Sequence, residues 1–435
     1  MTSAVICSAT ASEPPMSRTP FRQAQPHAPA CGSISRRAAL RSLGAATLGL
    51  SVGACAARSS TPRVVLYSSV DDHLLRALVP LYEAATGVTV DVVGDTEATK
   101  NTGLAERLIA ERSRPRGDVW WSSEPFYSIR LAREGLLEPG AARAALGDET
   151  ASLWPTGLLA SDGSWAGLAC RARVIVYRAS RVPEAQVPRR LDALTDPTWR
   201  GRVAMARPEF GTTRGHLAAL IQQHGPEATE SWLRALKANA LKVYSGNSTV
   251  VRAVAQGEAD LGLTDTDDVW SGQRNGWDVE AAYESDAGAG AGAGNRAIDR
   301  GSERSGASDA THTTPTTSPE APTATPPTPE APIAQGGDWW HGALASPGPL
   351  VLPNTVGLIK GGPNPTEGRR LLAWILGGEA ERFLARSESR NMPVRADVVS
   401  DFPDLRLASA WRPHLEHVAT HLDAAATIAA RVLDS

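Results

Sequence analysis

The chain has 435 residues, of which 42% are hydrophobic and 21% charged, and its formal net charge is -3. This length exceeds what one hydrophobic core usually holds, so two lobes or domains are expected. The near-neutral balance excludes a basic nucleic-acid surface as the basis of function. The four cysteines, Cys7, Cys31, Cys55 and Cys170, share no metal-ligand spacing. Twelve Trp against five Phe is an unusual balance, and several Trp fall where strands would end, a placement that suits either ligand contact or packing.

Residues 1 to 34 are rich in Pro, Ser and Ala, and Met16 offers an alternative start. Arg36-Arg37 then precede an uncharged stretch from Ser42 to Ala57, too short to span a bilayer and suited to a signal h-region. Small residues Val52-Gly53-Ala54 lead into Cys55, which resembles a bacterial lipobox whose cysteine becomes the acylated first residue. Paired arginines suggest the Tat route, although they are also common in Sec signals. A mature chain starting at Cys55 keeps Cys170 as its other cysteine, so no disulfide supports the fold.

The segment Arg63 to Ser69 reads as a buried strand, followed by a helix that Asp71 or Asp72 can cap, that Gly87 stops and that Pro80 should kink. Leu74, Leu75, Leu78, Leu81 and Tyr82 supply its apolar face. Val88 to Val93 is a second strand, which makes an opening βαβ unit and a parallel sheet. A helix from Gly103 to Arg112, the strand Asp118 to Trp121 and a helix from Pro125 to Gly135 repeat the alternation. This is α/β grammar, with ligands expected at the carboxyl ends of strands. Ser68, Ser69, Glu97, Ser122 and Glu124 lie in such loops, and Glu124 also suits a helix cap.

A second stretch repeats the pattern from the strand Ala172 to Tyr177. The strand Arg202 to Ala206 empties into Gly211-Thr212-Thr213 and a helix to Gly225, and a helix from Glu227 to Ala238 follows. The strand Leu241 to Tyr244 ends at Gly246-Asn247-Ser248, and Ala259 to Leu263 ends at Asp265-Thr266-Asp267-Asp268. Residues 284–337 break the pattern with Ala-Gly alternation and then Pro, Thr, Ser and Glu, which reads as a disordered insertion. Leu350 to Ile359 resumes as a strand, and Glu367 to Ala385 reads as one amphipathic helix. The expected organisation is 1–55 extension and signal, 56–63 tether, 64–171 first lobe, 172–349 second lobe with the insertion, and 350–435 a return strand and helices packing mainly on the first lobe. Two strands crossing between two α/β lobes make a hinge.

Val65 to Asp71, Asp95-Thr96-Glu97-Ala98-Thr99-Lys100, Asp118 to Pro125, Glu134 to Pro139 and Leu194 to Gly201 together resemble family 1 extracellular solute-binding proteins, especially their ferric-iron-binding branch. The resemblance covers most of Val64 to Arg395. It implies a type II periplasmic binding-protein fold, an ABC permease and ATPase as partners, and Fe3+ as the transported ligand with no catalytic cofactor; a monomer is expected. Iron-binding members typically hold the metal with two adjacent tyrosines in the second lobe, where this chain has Asp265-Thr266-Asp267-Asp268. Carboxylates of Glu124, Asp265, Asp267 and Asp268 could supply the oxygen ligands a hard cation prefers. They also suit an organic cation, while Gly211, Thr212, Thr213, Asn247 and Ser248 offer the donors an anion wants. Asp267 and Asp268 have a plainer reading as first-turn acids of the next helix.

Two other classes compete with a binding protein. For an enzyme the sequence offers His216 as a candidate base beside the Gly211 loop, and for a surface scaffold only the insertion and the lipid anchor. His414, His417 and His421 are spaced to share one face of a C-terminal helix. Three imidazoles there could bind zinc, although a polar helix face accounts for them as well.

Overall fold

The computed structural model describes residues 61–95, 102–209, 211–285, 344, 347–407 and 409–435. Cys55, Glu97, the signal region and residues 286–337 of the expected insertion lie outside them. Glu284 and Ser285, expected at the start of that insertion, belong to the fold: Glu284 is buried and the Ser285 N–H donates to the Arg189 carbonyl.

The first sheet is built as the sequence predicts. β1 (Arg63–Ser68) lies between β2 (Thr89–Gly94) and β3 (Val119–Ser122), both parallel to it. Helices α1 (Asp72–Thr86), α2 (Thr102–Ala110) and α3 (Pro125–Arg133) connect and cover these strands, and short helices α4 (Ala141–Leu146) and α5 (Asp148–Ser152) follow. α1 ends at Gly87, whose φ of 70° is the left-handed conformation a helix stop requires. α1 also runs unbroken through Pro80. Pro80 and Arg76 are both exposed, so the Arg76 carbonyl that loses its intrahelical partner is open to water. Leu81, expected on the apolar face, is exposed too.

β4 (Trp165–Tyr177) is longer than the expected strand and belongs to both sheets. Its residues up to Ala172 pair antiparallel with β9 (Val351–Leu358), which in turn pairs with β3. From Arg173 onward β4 pairs instead with β7 (Leu261–Asp265) and β8 (Glu280–Ala282). β7 then carries the parallel strands β5 (Val203–Ala206) and, beyond it, β6 (Lys242–Tyr244). Helices α6 (Gly211–His224), α7 (Pro226–Ala238), α8 (Asn247–Gln256) and α9 (Thr266–Arg274) complete this second lobe. The lobes touch where α6 meets α3: a Cβ at Gly215 would lie 2.1 Å from the Phe126 ring.

The C-terminal region departs from expectation in the break of one helix and in the placement of the last one. The single helix read over Glu367 to Ala385 is two, α10 (Pro365–Ile375) and α11 (Gly378–Arg386), parted at Gly377-Gly378 where helix propensity is poorest. Both α10 and α11 pack on the first lobe. After α12 (Ala396–Val399) and α13 (Leu415–Val418), α14 (Leu422–Leu433) closes the chain. α14 packs on α6 and α7 of the second lobe rather than on the first. Its buried stripe Ala425, Ile428, Ala429 and Val432 finds its apolar partner there, and Lys237 Nζ donates to the Val432 carbonyl at 2.8 Å. The three histidines share no helix face, because His414 precedes α13, His417 lies in it and His421 precedes α14. His414 and His417 stack with centroids 4.4 Å apart, and among the described residues the histidines join no metal-ligating cluster.

Asp118 ties the first lobe together. Its buried carboxylate accepts from the Val65 N–H at 2.8 Å, the Asn364 N–H at 2.6 Å and Asn364 Nδ2 at 3.0 Å. Asp118→Ala leaves two half-buried backbone donors, of Val65 and Asn364, without their acceptor and is expected to cost about 1–3 kcal/mol, read as a lower melting temperature with the cleft residues unaltered.

Candidate functional site

A cleft of about 780 Å³ opens between the two lobes. The first lobe lines it with Asp71, Ser123 and Glu124, at the loops that follow β1 and β3. The second lobe lines it with Gly211, Thr212 and Thr213 at the start of α6, with Asn247, Ser248 and Thr249 at the start of α8, and with Asp265, Asp267 and Asp268 where β7 enters α9. Arg171 reaches it from the crossing strand β4. Strand ends and helix starts meet here because α/β lobes place both at one edge of the sheet.

Several residues expected to face the ligand make hydrogen bonds within their own or a neighbouring loop. Ser68, Ser69 and Ser122 are buried and do not line the cleft. The Ser68 hydroxyl accepts from the Val70 N–H at 3.2 Å, that of Ser69 from the Ser123 N–H at 3.0 Å, and that of Ser122 from the Glu124 N–H at 3.3 Å. Short hydroxyl side chains at strand ends serve their own loops first. Glu124 lines the cleft, but both of its carboxylate oxygens cap α3, accepting from Phe126 at 2.8 Å and Tyr127 at 3.1 Å. Burial raises its pKa despite these donors.

Asp265 is likewise committed. It is 2% exposed, pairs with the 1% exposed Arg173 at 2.8 Å, and accepts from Thr212 Oγ1 at 2.6 Å and Asn247 Nδ2 at 2.8 Å. Its carboxylate therefore orients the starts of α6 and α8 toward the cleft. Thr213 Oγ1 adds a bond to Asn247 Oδ1 at 3.1 Å.

Asp267 and Asp268 differ from Asp265. One oxygen from each of the three aspartates lies within 4.8 Å of the others. Asp267 Oδ2 is 3.4 Å from Arg171 Nε, and Asp267 Oδ1 is buried without a hydrogen-bond partner among the described residues. Removal from water pushes the Asp267 carboxyl up to about 6, reinforced by the charges of Asp265 and Asp71 and opposed by Arg171. Burial, then Asp267, Asp265 and Asp71, holds Asp268 well above the usual carboxylate range. These acids crowd each other with incomplete compensation, which is the arrangement a cation relieves.

Asp71 and Arg171 escaped the sequence reading. Asp71 looked like a helix cap, yet its side chain makes no capping bond to α1. Arg171 and Arg173 interrupt a strand whose other residues are apolar, and a charge inside a buried strand requires a partner; that signal was available. Arg171 Nη2 also donates to Asn354 Oδ1 at 3.1 Å, bridging β4 to β9 beside a register shift between Leu168 and Arg171. His216 is buried in α6 outside the cleft lining, and burial followed by the Arg173 charge holds its pKa well below 6.5. The structure therefore places this imidazole away from the cleft lining.

A family model described as bacterial extracellular solute-binding protein matches residues 64–387. The Fe(3+)-binding periplasmic protein of Serratia marcescens is 32% identical over 221 residues, 50% of this chain and 61% of that protein. The major ferric iron-binding protein of Neisseria meningitidis serogroup A is 27% identical over 213 residues, 48% of this chain and 61% of that one. The chain thus spans about three fifths of the length of these relatives. Iron-bound HitA from Pseudomonas aeruginosa superposes with a TM-score of 0.59 at 21% identity, covering 85% of this chain and 99% of that one. The Trichodesmium protein solved with iron and citrate gives 0.62 at 18% identity, over 85% and 99%. These solved structures share the expected two-lobed, type II periplasmic binding-protein fold.

The buried pair beneath the cleft gives a direct test. Asp265→Ala strands Arg173 as an uncompensated buried charge and is expected to destabilise by about 3–5 kcal/mol. Asp265→Asn keeps the bond from Thr212 and is expected to cost less, a ranking that chemical denaturation resolves.

Proposed function

We propose that this chain, which belongs to the bacterial extracellular solute-binding proteins, is the receptor of an ABC importer and carries ferric iron in its interlobe cleft. The family is one of binding proteins rather than enzymes. The observation that carries the cargo assignment is the cluster of Asp267, Asp268 and Asp265 oxygens within 4.8 Å, with Asp267 Oδ1 unpartnered and Asp71 across the cleft. Ferric ion is a hard cation that takes oxygen ligands. In this reading Asp267 and Asp268 bind the metal, Asp71 closes on it from the first lobe, and Asp265 supports them through Arg173. The named specificities of the Serratia and Neisseria relatives agree with this cargo.

Export and tethering complete the proposal. The arginine pair and h-region direct the chain out of the cytoplasm, by the Tat route in this reading, and acylated Cys55 holds it at the outer face of the inner membrane. There the closed lobes present the cargo to a permease driven by an ATPase. The protein acts as a monomer.

A small organic oxyanion is the second reading. The cleft exceeds a bare ion in volume, and α8 starts without a side-chain cap, so the first-turn N–H groups at Asn247, Ser248 and Thr249 are suited to an anion. Arg171 lines the same cleft and adds a positive charge.

Titration of the cargo-free protein with chelated ferric iron separates the two. Asp267→Ala with Asp268→Ala removes two charged contacts worth about 1.5–3 kcal/mol each, so ferric affinity is expected to fall on the order of 100-fold or more. Undiminished binding by that variant rejects the cargo site. Protons compete for the same oxygens, so wild-type uptake is expected to weaken as pH falls through about 6, where Asp267 takes up its proton.

The cluster also predicts a stability signature. A carboxyl whose folded pKa lies above its unfolded value penalises the folded state once pH exceeds the folded value, and the penalty vanishes below the unfolded one. Asp268→Asn is therefore expected to raise the melting temperature of the cargo-free protein at pH 8. The gain should shrink toward zero near pH 4.

A further inference from the structure

A second cavity, of about 350 Å³, shares no lining residue with the interlobe cleft. Cys170 of β4 and Val351 of β9 form one wall at the point where the two sheets meet, and Met392, Val394 and Phe402 form the other. The walls are fixed to each other. Cys170 and Met392 exchange backbone hydrogen bonds of 2.7 Å in both directions. The buried Glu381 carboxylate accepts from the N–H groups of Ala169 at 3.1 Å, Val394 at 2.9 Å and Arg395 at 2.9 Å. The cavity is therefore preformed, and a preformed site binds without a large ordering cost.

The lining side chains are apolar apart from those of Arg406 and Arg412 and include no acid, while polar atoms, backbone and guanidinium, make up about half of the surface. Both arginines are exposed, and neither guanidinium has an ion-pair partner among the described residues. Apolar walls with a few convergent charges are the usual make-up of a small-molecule site. At roughly 30 Å³ per water-sized group, the space holds about a dozen heavy atoms. We propose that this hinge-side cavity binds a small amphipathic carboxylate, its tail against Cys170, Val351 and Phe402 and its head between Arg406 and Arg412. The residue after Cys170 is Arg171, which lines the cargo cleft, so the bound molecule would rest on the same segment of β4 that reaches the cargo. This site does not depend on the identity of the cargo.

Decanoate is the probe, with decyltrimethylammonium as the tail-matched cation. Calorimetry on the full chain is expected to show saturable one-to-one binding of decanoate and at least tenfold weaker binding of the cation. Burial pushes the Cys170 thiol up to about 12, so its reaction with maleimide is slow, and decanoate should slow it further, as read by peptide mass at Cys170. Arg406→Gln with Arg412→Gln, both exposed positions that leave the core intact, should weaken decanoate about tenfold with the melting temperature unchanged. Absence of saturable binding, equal affinity for the cation, or undiminished affinity in the double variant overturns the proposal.

Discussion

The Arg173–Asp265 pair sits where the two sheets share a strand, and the cleft depends on it. Arg173 is the first residue of β4 to pair with β7, and its partner there is Asp265, the last residue of β7. One buried ion pair thereby joins the crossing strand to the strand that delivers the acidic loop, and its hydrogen bonds from Thr212 and Asn247 fix two helix starts as well. Two charges at 1% and 2% exposure are costly unless each is fully partnered. The expense is consistent with specifying geometry rather than adding stability, since it holds four backbone elements, β4, β7, α6 and α8, in place at the cleft.

With Asp265 satisfied, the neighbouring acids carry the unrelieved charge. Asp267 and Asp268 follow it within one turn of α9, too close to be independent, and Arg171 offsets only part of their repulsion. Folded proteins rarely keep such a cluster without a reason in function. A cation entering the cleft would remove the repulsion and supply Asp267 Oδ1 with a partner.

Much of this was legible in the sequence because α/β architecture writes itself as alternation. The strands at Arg63, Val88, Asp118, Arg202 and Leu241 and the helix stops at Gly87 and Gly225 follow from local pattern alone. So does the convergence of Gly211, Thr212, Thr213, Asn247, Ser248, Asp267 and Asp268, since strand ends in one lobe must face one edge. What local pattern does not carry is which polar group is already spent. Ser68, Ser69 and Ser122 read as ligand contacts and are loop bonds, Glu124 reads as a ligand and caps α3, and Asp265 reads as the equal of Asp267 until Arg173 is seen beside it. The destination of α14 was equally hidden: its stripe of Ala and Ile announces burial but not against which lobe.

The most direct measurement is anomalous diffraction at the iron edge from crystals of the ferric-loaded protein. A single peak is expected in the interlobe cleft within bonding distance of Asp267 and Asp268 oxygens, with Asp265 still paired to Arg173. A peak held by other residues, or an iron-free cleft containing an organic anion at the start of α8, would contradict it.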